Sequence, residues 1–181
     1  MSEDIIWKKD RLLQVDDFQG VPDPSQNKLQ AMTGTTFLPQ TDYDIIKSKS
    51  KTKLKINFVF VQAIFRPSIS WFKKDQLHPD NWEKLLKHEQ GHFDLVEIYA
   101  RKFEPKLNQK FKNKSFTCKG KTDGEKEKFC IKEIKKLTED YFNKLRPEYI
   151  IFDEKYDSDT KHGLDKDKQK EYDQFFDELR N

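Results

Sequence analysis

The spacing of the hydrophobic residues changes near residue 80, and this change constrains the fold more than any other feature. Over residues 53–65 apolar side chains alternate with polar ones, which predicts a strand with one buried face. From Asp80, a good N-cap residue, to about Phe111 they recur at steps of three and four, which predicts a long amphipathic helix. The apolar members of the predicted strand are Leu54, Ile56, Phe58, Phe60 and Ile64.

Weaker signals predict the remaining elements. Residues 28–38 resemble a second strand, and helices are expected over about 125–145 and 165–179. Residues 153–164 are polar and turn-like. Strands followed by helices in one chain predict an α+β fold, and the length favours a single domain over residues 1–181.

Two prolines are expected to interrupt the helical segments. Pro105 should kink or end the first helix, because proline removes a backbone donor and clashes with the preceding turn. Pro147 should stop the second helix for the same reason. The polar residues 156–163 are expected to form a loop that can fold back over the first helix.

The charge pattern excludes several function classes. Charged residues make up 37% of the chain, and 35 basic and 32 acidic residues are interleaved to give a net charge of +3. No basic motif with stacking aromatic residues is present, so nucleic-acid binding is not predicted. No apolar run approaches the roughly 18 residues of a membrane-spanning helix, and the first 30 residues lack the apolar core of a signal peptide. We therefore expect no membrane span and interpret the sequence as a mature form.

The chain has two cysteines, Cys118 and Cys130. Their spacing fits no zinc knuckle, which would need a close cysteine pair and further Cys or His ligands. A local disulfide that closes this short segment is the favoured interpretation, and two free thiols are the alternative. Such a disulfide would indicate an oxidising compartment.

The long helix contains the pentapeptide His88-Glu89-Gln90-Gly91-His92, an H-E-x-x-H pattern. Residues four apart on a helix return to within about 40° of each other, so His88 and His92 project from one face and can bind one metal ion. In this motif the intervening glutamate, Glu89, serves as the general base that deprotonates a metal-activated water.

The surroundings of Glu89 strengthen this interpretation. The apolar face of the helix continues through position 89, where a hydrophobic residue is expected and a carboxylate is found. A buried carboxylate costs several kcal/mol unless it has a partner, and a divalent ion would supply one. Gly91 costs about 1 kcal/mol relative to alanine inside a helix. Its missing side chain is expected to admit the neighbouring sheet or a substrate backbone.

A catalytic zinc ion needs a third protein ligand and an open fourth position. The remaining histidines are His78, which precedes the helix, and His162, which lies in the predicted polar loop. His162 is the better candidate, and His78 is expected to be a surface residue. Asp157 and Asp159 are the alternatives if His162 fails, because carboxylates complete some zinc sites.

Two acidic residues on the helix itself are poor candidates for ligands. Glu97 is nine residues beyond His88, which rotates it to the opposite side of the helix. Asp94 lies about 120° away from His88. Asp94 is therefore expected to orient an imidazole or to form a salt bridge.

The helix sequence resembles a known signature over the run His88-Glu89-Gln90-Gly91-His92-Phe93-Asp94-Leu95-Val96-Glu97-Ile98-Tyr99-Ala100-Arg101. The signature belongs to a bacterial family of secreted zinc-dependent proteases, known as domain of unknown function 922. The likeness covers most of the chain. It extends to Trp7, to Asp17-Phe18-Gln19-Gly20, to Ser70-Trp71 and to the pattern Tyr156-Asp157 … Thr160 … His162-Gly163.

This resemblance implies a zincin-like fold, in which a small, mostly antiparallel sheet packs on the long H-E-x-x-H helix and further helices follow. It implies Zn²⁺ held by His88 and His92, with Glu89 as catalytic base, and it suggests His162 as third ligand. The expected activity is hydrolysis of peptide bonds by a secreted or periplasmic zinc metalloendopeptidase.

Tyr156 and Lys161 flank the expected ligand, so we expect them to help stabilise the oxyanion that forms during hydrolysis. The expected partner is a protein or peptide substrate that adds as a strand to the edge of residues 53–65. Two other classes stay open: a non-catalytic metal-binding or cell-surface interaction protein, and a structural domain without a metal. The sequence leaves the oligomeric state open.

Overall fold

The structure of the chain is a computed structural model that describes residues 3–48, 51–76, 78, 81–112 and 114–181. The strands in this part of the chain are β1 (Ile5–Ile6), β2 (Ala31–Met32), β3 (Thr35–Lys47), β4 (Thr52–Phe65), β5 (Trp71–Phe72) and β6 (Ser115–Thr117). The α-helices are α1 (Trp82–Phe111), α2 (Asp123–Thr160) and α3 (Lys166–Arg180).

Strand β4 organises the larger sheet. It lies between β1 and β3. Strand β1 pairs with the end of β4 at Phe65, and β6 pairs with the opposite end at Leu54. Both short partners run antiparallel to β4, with Ile5 opposite Phe65 and Leu54 opposite Phe116. A second, two-stranded antiparallel sheet joins β2 and β5. Antiparallel sheets combined with three described helices confirm the predicted α+β class, whereas the zincin-like assignment stays a prediction.

The residues group into two compact units. In the first unit aromatic rings fill the core: Phe65 contacts Phe18 and Phe93, with ring centroids 5.1 and 5.9 Å apart. Leu95, Tyr156 and Phe176 form a second buried cluster in the same unit. The first unit comprises Met1–Leu38, Gln62–Tyr99 and Glu148–Asn181. The prediction that the whole chain is one domain stays a prediction.

The second unit comprises Pro39–Val61 and Ala100–Pro147. Here the ring of Phe103 packs edge-on against Phe142, with centroids 5.7 Å apart. Cys118 and Cys130 form a disulfide, as the sequence predicted. The residues just before α2 form a capping box: Thr122 Oγ1 accepts the backbone N–H of Glu125, and Glu125 Oε2 accepts the N–H of Thr122.

The predicted burial of β4 is wrong in its second half. Leu54 and Ile56 are buried, but Phe58 and Phe60 are 36% and 48% exposed, because the buried positions change phase beyond Ile56. A shift of one residue in a strand moves every following side chain to the other face. Val59 and its alternate neighbours therefore supply the buried face instead of the two phenylalanines.

The middle of β4 is closed to an added strand. The side chain of Asn108 accepts the N–H of Val59 at 2.8 Å and donates to its carbonyl at 2.9 Å, and Glu104 accepts the N–H of Val61. Strand β3 occupies the other side of β4. The expectation that a substrate adds to the edge of residues 53–65 is therefore wrong.

Both prolines lie inside helices, which contradicts the expected stop at Pro147, whereas a kink at Pro105 stays a prediction. Helix α1 continues through Pro105 to Phe111, and α2 continues through Pro147 to Thr160. Proline removes one helical hydrogen bond but its φ suits a helix, so packing on both sides can carry the helix past it. Most of the polar loop predicted over 153–164 is helical for this reason. The predicted N-cap Asp80 lies outside the described residues.

Helix α3 starts after Asp165, whose side chain accepts the N–H of Lys168, and it buries Phe176. This agrees with the terminal helix predicted over about 165–179. Within the described ranges no helix is long and apolar enough to cross a membrane.

Candidate metal centre

Helix α1 presents the two motif histidines on one face. The rings of His88 and His92 lie 4.9 Å apart between centroids, as their spacing of four residues predicted. His88 is buried, and the neighbouring Phe93 and Val96 lie in the core and hold this part of the helix in place. The histidine pair is therefore fixed by local helical geometry.

The last turns of α2 bring two carboxylates to the same place. Asp153 and Asp157 are one helical turn apart, so both side chains project from one face of α2. Asp153 Oδ1 lies 2.8 Å from His92 Nδ1, and Asp157 Oδ1 lies 3.1 Å from His88 Nε2. Continuation of the helix past Pro147 produces this spacing.

Three imidazole nitrogens surround Asp157 Oδ1: His88 Nε2 and His92 Nε2 at 3.1 Å each, and His162 Nδ1 at 3.3 Å. Ligand atoms about 2.0–2.1 Å from one tetrahedral metal ion lie about 3.3 Å from each other. His88, Asp157 and His162 each offer a ligand atom within 4.8 Å of the other two. His92 is not a member of that set, but its Nε2 approaches the same carboxylate oxygen, so we include it in the cluster.

His162 reaches the cluster from a tight turn that follows α2. Lys161 and His162 have φ of 49° and 56°, and Gly163 has φ of 80°. Left-handed backbone at non-glycine residues costs about 1 kcal/mol or more each and concentrates at functional sites. The N–H of His162 donates to the carbonyl of Asp157 at 3.0 Å, which ties the turn to the end of the helix. A side chain at Gly163 would meet His88 Cβ at 3.0 Å.

The hydrogen bonds of His92 test whether these residues fit a cation. Burial lowers the pKa of His92, but hydrogen bonds to Asp153 and Asp157 raise it well above its usual value. Burial raises the pKa of Asp157, but its hydrogen bonds with His88 and His92 leave that pKa far below normal. Both ring nitrogens of His92 thus face carboxylate oxygens. Such a ring must either be an imidazolium or use one nitrogen to bind a metal ion.

The donor set therefore fits a divalent cation. Imidazole nitrogens and a carboxylate oxygen are ligands that zinc and related ions take. Asp153 would keep the proton of His92 on Nδ1 and leave Nε2 free to coordinate. One divalent ion would replace the extra proton that the half-buried His92 imidazole would otherwise carry.

Glu89 lies beside the cluster in a cleft of about 820 Å³. It is 4% exposed, as its position on the apolar face predicted, and Thr33 Oγ1 donates to its Oε2 at 2.6 Å. From the sequence, a metal ion was the expected partner of the buried Glu89 carboxylate. The Thr33 hydroxyl is a partner that the sequence did not predict. The cleft is lined by His88, Glu89, His92, Asp153, Asp157 and His162, together with residues 28–33.

Tyr156 lies behind His88 and not at the open side of the cleft. Its buried ring stacks on the imidazole at 4.8 Å, its hydroxyl donates to the carbonyl of His88 at 3.0 Å, and burial raises its pKa. The expectation that Tyr156 stabilises an oxyanion disagrees with this placement, because its proton is already donated to the backbone. Tyr156 supports a ligand instead.

The structure also corrects the expectation for Gly91. A Cβ at this position would meet Tyr156 Oη at 2.2 Å, Tyr156 Cζ at 2.7 Å and Phe176 Cε2 at 2.8 Å. The missing side chain therefore admits side chains of α2 and α3, and not a sheet or a substrate backbone.

The other residues singled out in the sequence lie outside the cluster. Asp159 pairs with Lys155 and accepts the hydroxyl of Tyr172, and His78 is exposed. Lys161 lines the cleft and pairs with Asp165 at 3.2 Å, and its expected role at the reacting carbonyl stays a prediction.

Asp94 forms a salt bridge, one of the two roles expected for it. It is buried, pairs with Arg180 and accepts the indole N–H of Trp7 at 2.7 Å. Burial raises the pKa of Asp94, and these partners oppose that rise.

The sequence interpretation missed Asp153 and Thr33. The signal for Asp153 was its spacing of four from Asp157, which mirrors the spacing of the two motif histidines. This spacing was not recognised because Pro147 was expected to end the helix and residues 153–164 were expected to be turn-like. For Thr33 the sequence carries no signal, because it lies 56 residues from Glu89.

Searches of protein families, of curated proteins and of solved structures found no match to this chain. The functional assignment therefore depends on the site itself.

Proposed function

We propose that this chain is a zinc-dependent metallopeptidase, with the metal ion held by His88, His92 and Asp157. The observation that carries the proposal is the convergence of imidazole nitrogens on Asp157 Oδ1 at 3.1–3.3 Å, beside the buried Glu89. Asp157 takes the place of third ligand because it projects from a helix, whereas the side chain of His162 is 57% exposed on a strained turn.

Each group has a separate role in the proposed reaction. A divalent ion bound here would act as a Lewis acid on a water molecule and on the scissile carbonyl. Glu89 accepts the proton of the attacking water and returns it to the leaving amine. Thr33 holds one carboxylate oxygen of Glu89 by a hydrogen bond of 2.6 Å, which keeps the base oriented in the cleft.

Strand β2 is the edge that suits an extended substrate. Ala31 lies opposite Phe72, and the N–H of Lys73 donates to the carbonyl of Gln30 at 2.9 Å. In an antiparallel pair the bonded positions alternate, so the N–H and C=O of Ala31 face away from β5. Residues 28–33 line the cleft, so an extended peptide bound along this segment would lie beside the cluster.

The disulfide between Cys118 and Cys130 bears on where the protein acts. Disulfides form and persist in oxidising compartments. We propose that the protein works outside the cytoplasm, as a secreted or periplasmic enzyme.

The test combines metal analysis with proteolysis. The purified full chain is expected to hold about one equivalent of zinc and to cleave an unfolded protein substrate until a chelator is added. Glu89→Gln should retain zinc and lose at least about 100-fold in cleavage rate. Glu83→Gln is the matched control, because Glu83 is exposed on the same helix and does not line this cleft. Chelator-sensitive cleavage that survives Glu89→Gln would show that the base is misassigned, and a chain that binds no zinc would remove the site.

A second candidate function follows from His162, which offers a fourth protein ligand 3.3 Å from Asp157 Oδ1. Four protein ligands close a zinc site and leave no position for a reactant. The chain would then be a non-catalytic metal-binding protein. Calorimetry with a hydroxamate separates the two, because a hydroxamate needs an open coordination position. Binding to the zinc-loaded protein favours the peptidase, and binding only to His162→Ala favours the closed site.

A further inference from the structure

Helix α3 places a buried amide against the first motif histidine. Gln169 is 7% exposed, and its Oε1 lies 3.1 Å from His88 Nδ1. Glutamine is usually exposed, and a buried amide needs hydrogen-bond partners at both of its ends. The question is which end of the amide faces the imidazole.

Asp173 fixes the orientation of this amide. It lies one turn further along α3, its Oδ1 is 3.0 Å from Gln169 Nε2, and a carboxylate oxygen accepts a hydrogen bond. The hydroxyl of Tyr156 lies 2.9 Å from Nε2 and 3.3 Å from Oε1 of the same amide, so it does not distinguish the two ends. Asp173 therefore requires the amide nitrogen at its end, and the amide oxygen faces His88.

The orientation of the amide sets the tautomer of His88. An amide oxygen accepts, so Nδ1 of His88 carries the proton and Nε2, 3.1 Å from Asp157, keeps the lone pair that a metal ion needs. Thr160 agrees with this assignment. Its hydroxyl donates to the carbonyl of Tyr156 at 2.7 Å, which leaves an oxygen lone pair 3.4 Å from His88 Nδ1.

Asp173 is itself held by a charge on α1. Lys87 Nζ lies 2.8 Å from Asp173 Oδ2, and Lys87 directly precedes His88. This ion pair holds the Asp173 carboxylate in place against α1. A continuous series of contacts thus runs from Lys87 through Asp173 and Gln169 to His88.

We propose that Gln169 and Asp173 are positioning residues of the metal centre, which keep His88 in the tautomer that binds metal through Nε2. This inference rests on the proposed function only in that the site holds a divalent ion. Partners of this kind change metal affinity by about 10- to 100-fold when they are removed.

The test measures zinc dissociation constants of the full-length protein by competition with a chromogenic chelator. Gln169→Met keeps the volume of the side chain but removes the acceptor, and we expect zinc to bind at least about 10-fold more weakly. Asp173→Asn frees the amide to turn its nitrogen toward His88, and a similar loss is expected. Asp177→Asn is the matched control on the same helix, because Asp177 is exposed.

A double variant separates positioning from packing. Gln169→Glu combined with Asp173→Asn exchanges carboxylate and amide, keeps the total charge and still presents an acceptor to His88 Nδ1. We expect it to restore zinc affinity to within about threefold of the unchanged protein, well inside the range that such partners control. Thermal unfolding with the metal removed reports the packing of each variant separately.

The outcomes separate this inference from the function on which it rests. Weak zinc binding by Gln169→Met and Asp173→Asn, with rescue by the exchanged pair, supports the positioning role. Unchanged affinity in Gln169→Met, or an exchanged pair as weak as Asp173→Asn alone, overturns it. If the unchanged protein binds no zinc, the proposed function fails instead.

Discussion

Gly91→Ala is the substitution that most directly tests how the helices around the cluster pack. The added Cβ would lie 2.2 Å from Tyr156 Oη and 2.8 Å from Phe176 Cε2, far inside van der Waals contact. Both side chains are buried, so neither can swing into solvent. Overpacking of this kind costs about 1–3 kcal/mol. The gain in helix propensity returns about 1 kcal/mol.

We expect a net loss of about 1 kcal/mol in the free energy of unfolding, which lowers Tm by about 2–4 °C for a chain of this size. Tyr156 precedes Asp157, so its displacement should also move the carboxylate away from the histidines. Zinc affinity is therefore expected to fall by at least about 10-fold.

The assay is thermal unfolding of the metal-free protein, followed by zinc competition. Gly124→Ala is the matched control, because a Cβ at Gly124 in the first turn of α2 would meet nothing within 4 Å. The control should be as stable as the unchanged protein or slightly more stable. A Gly91→Ala protein that unfolds at the same temperature as Gly124→Ala and binds zinc normally would refute the packing argument.

Two further predictions concern the base and the disulfide. Thr33→Val removes the donor to the buried carboxylate of Glu89, so we expect urea unfolding to show a loss of about 1–3 kcal/mol. Thr36→Val, whose half-buried hydroxyl only reaches a neighbouring carbonyl at 3.5 Å, should change little, and equal effects of the two would count against the Thr33 contact. Reduction of the Cys118–Cys130 disulfide opens a loop with a sequence separation of 12 and should lower the unfolding free energy by about 3 kcal/mol. Denaturant curves that coincide with and without reductant would contradict this estimate.

Features that depend on local periodicity were predictable from the sequence. The bounds of β4 agree with the predicted strand to within one residue, and α1 carries the histidine pair on one face as its spacing requires. The terminal helix expected over about 165–179 and the disulfide between Cys118 and Cys130 also depend on local signals, and the structure confirms both.

Where a local rule competed with packing, the sequence-based interpretation failed. Pro147 was expected to end the second helix, yet α2 continues to Thr160 because packing beyond the proline outweighs one lost hydrogen bond. The ring contacts of Tyr149 with Phe37 and Tyr99 supply that packing. The phase change in β4 has the same origin, since alternation alone does not say which face a neighbouring helix covers.

By itself the sequence determined the chemistry available to this protein: two histidines and a glutamate on one helix, in a chain whose few other histidines left the third ligand open. Only the tertiary structure decided which distant groups meet them. Asp157 joins the cluster because α2 runs on past its proline, and Thr33 reaches Glu89 across 56 residues. Helical spacing is fixed by backbone geometry within a few residues, whereas contacts between elements depend on how whole surfaces pack.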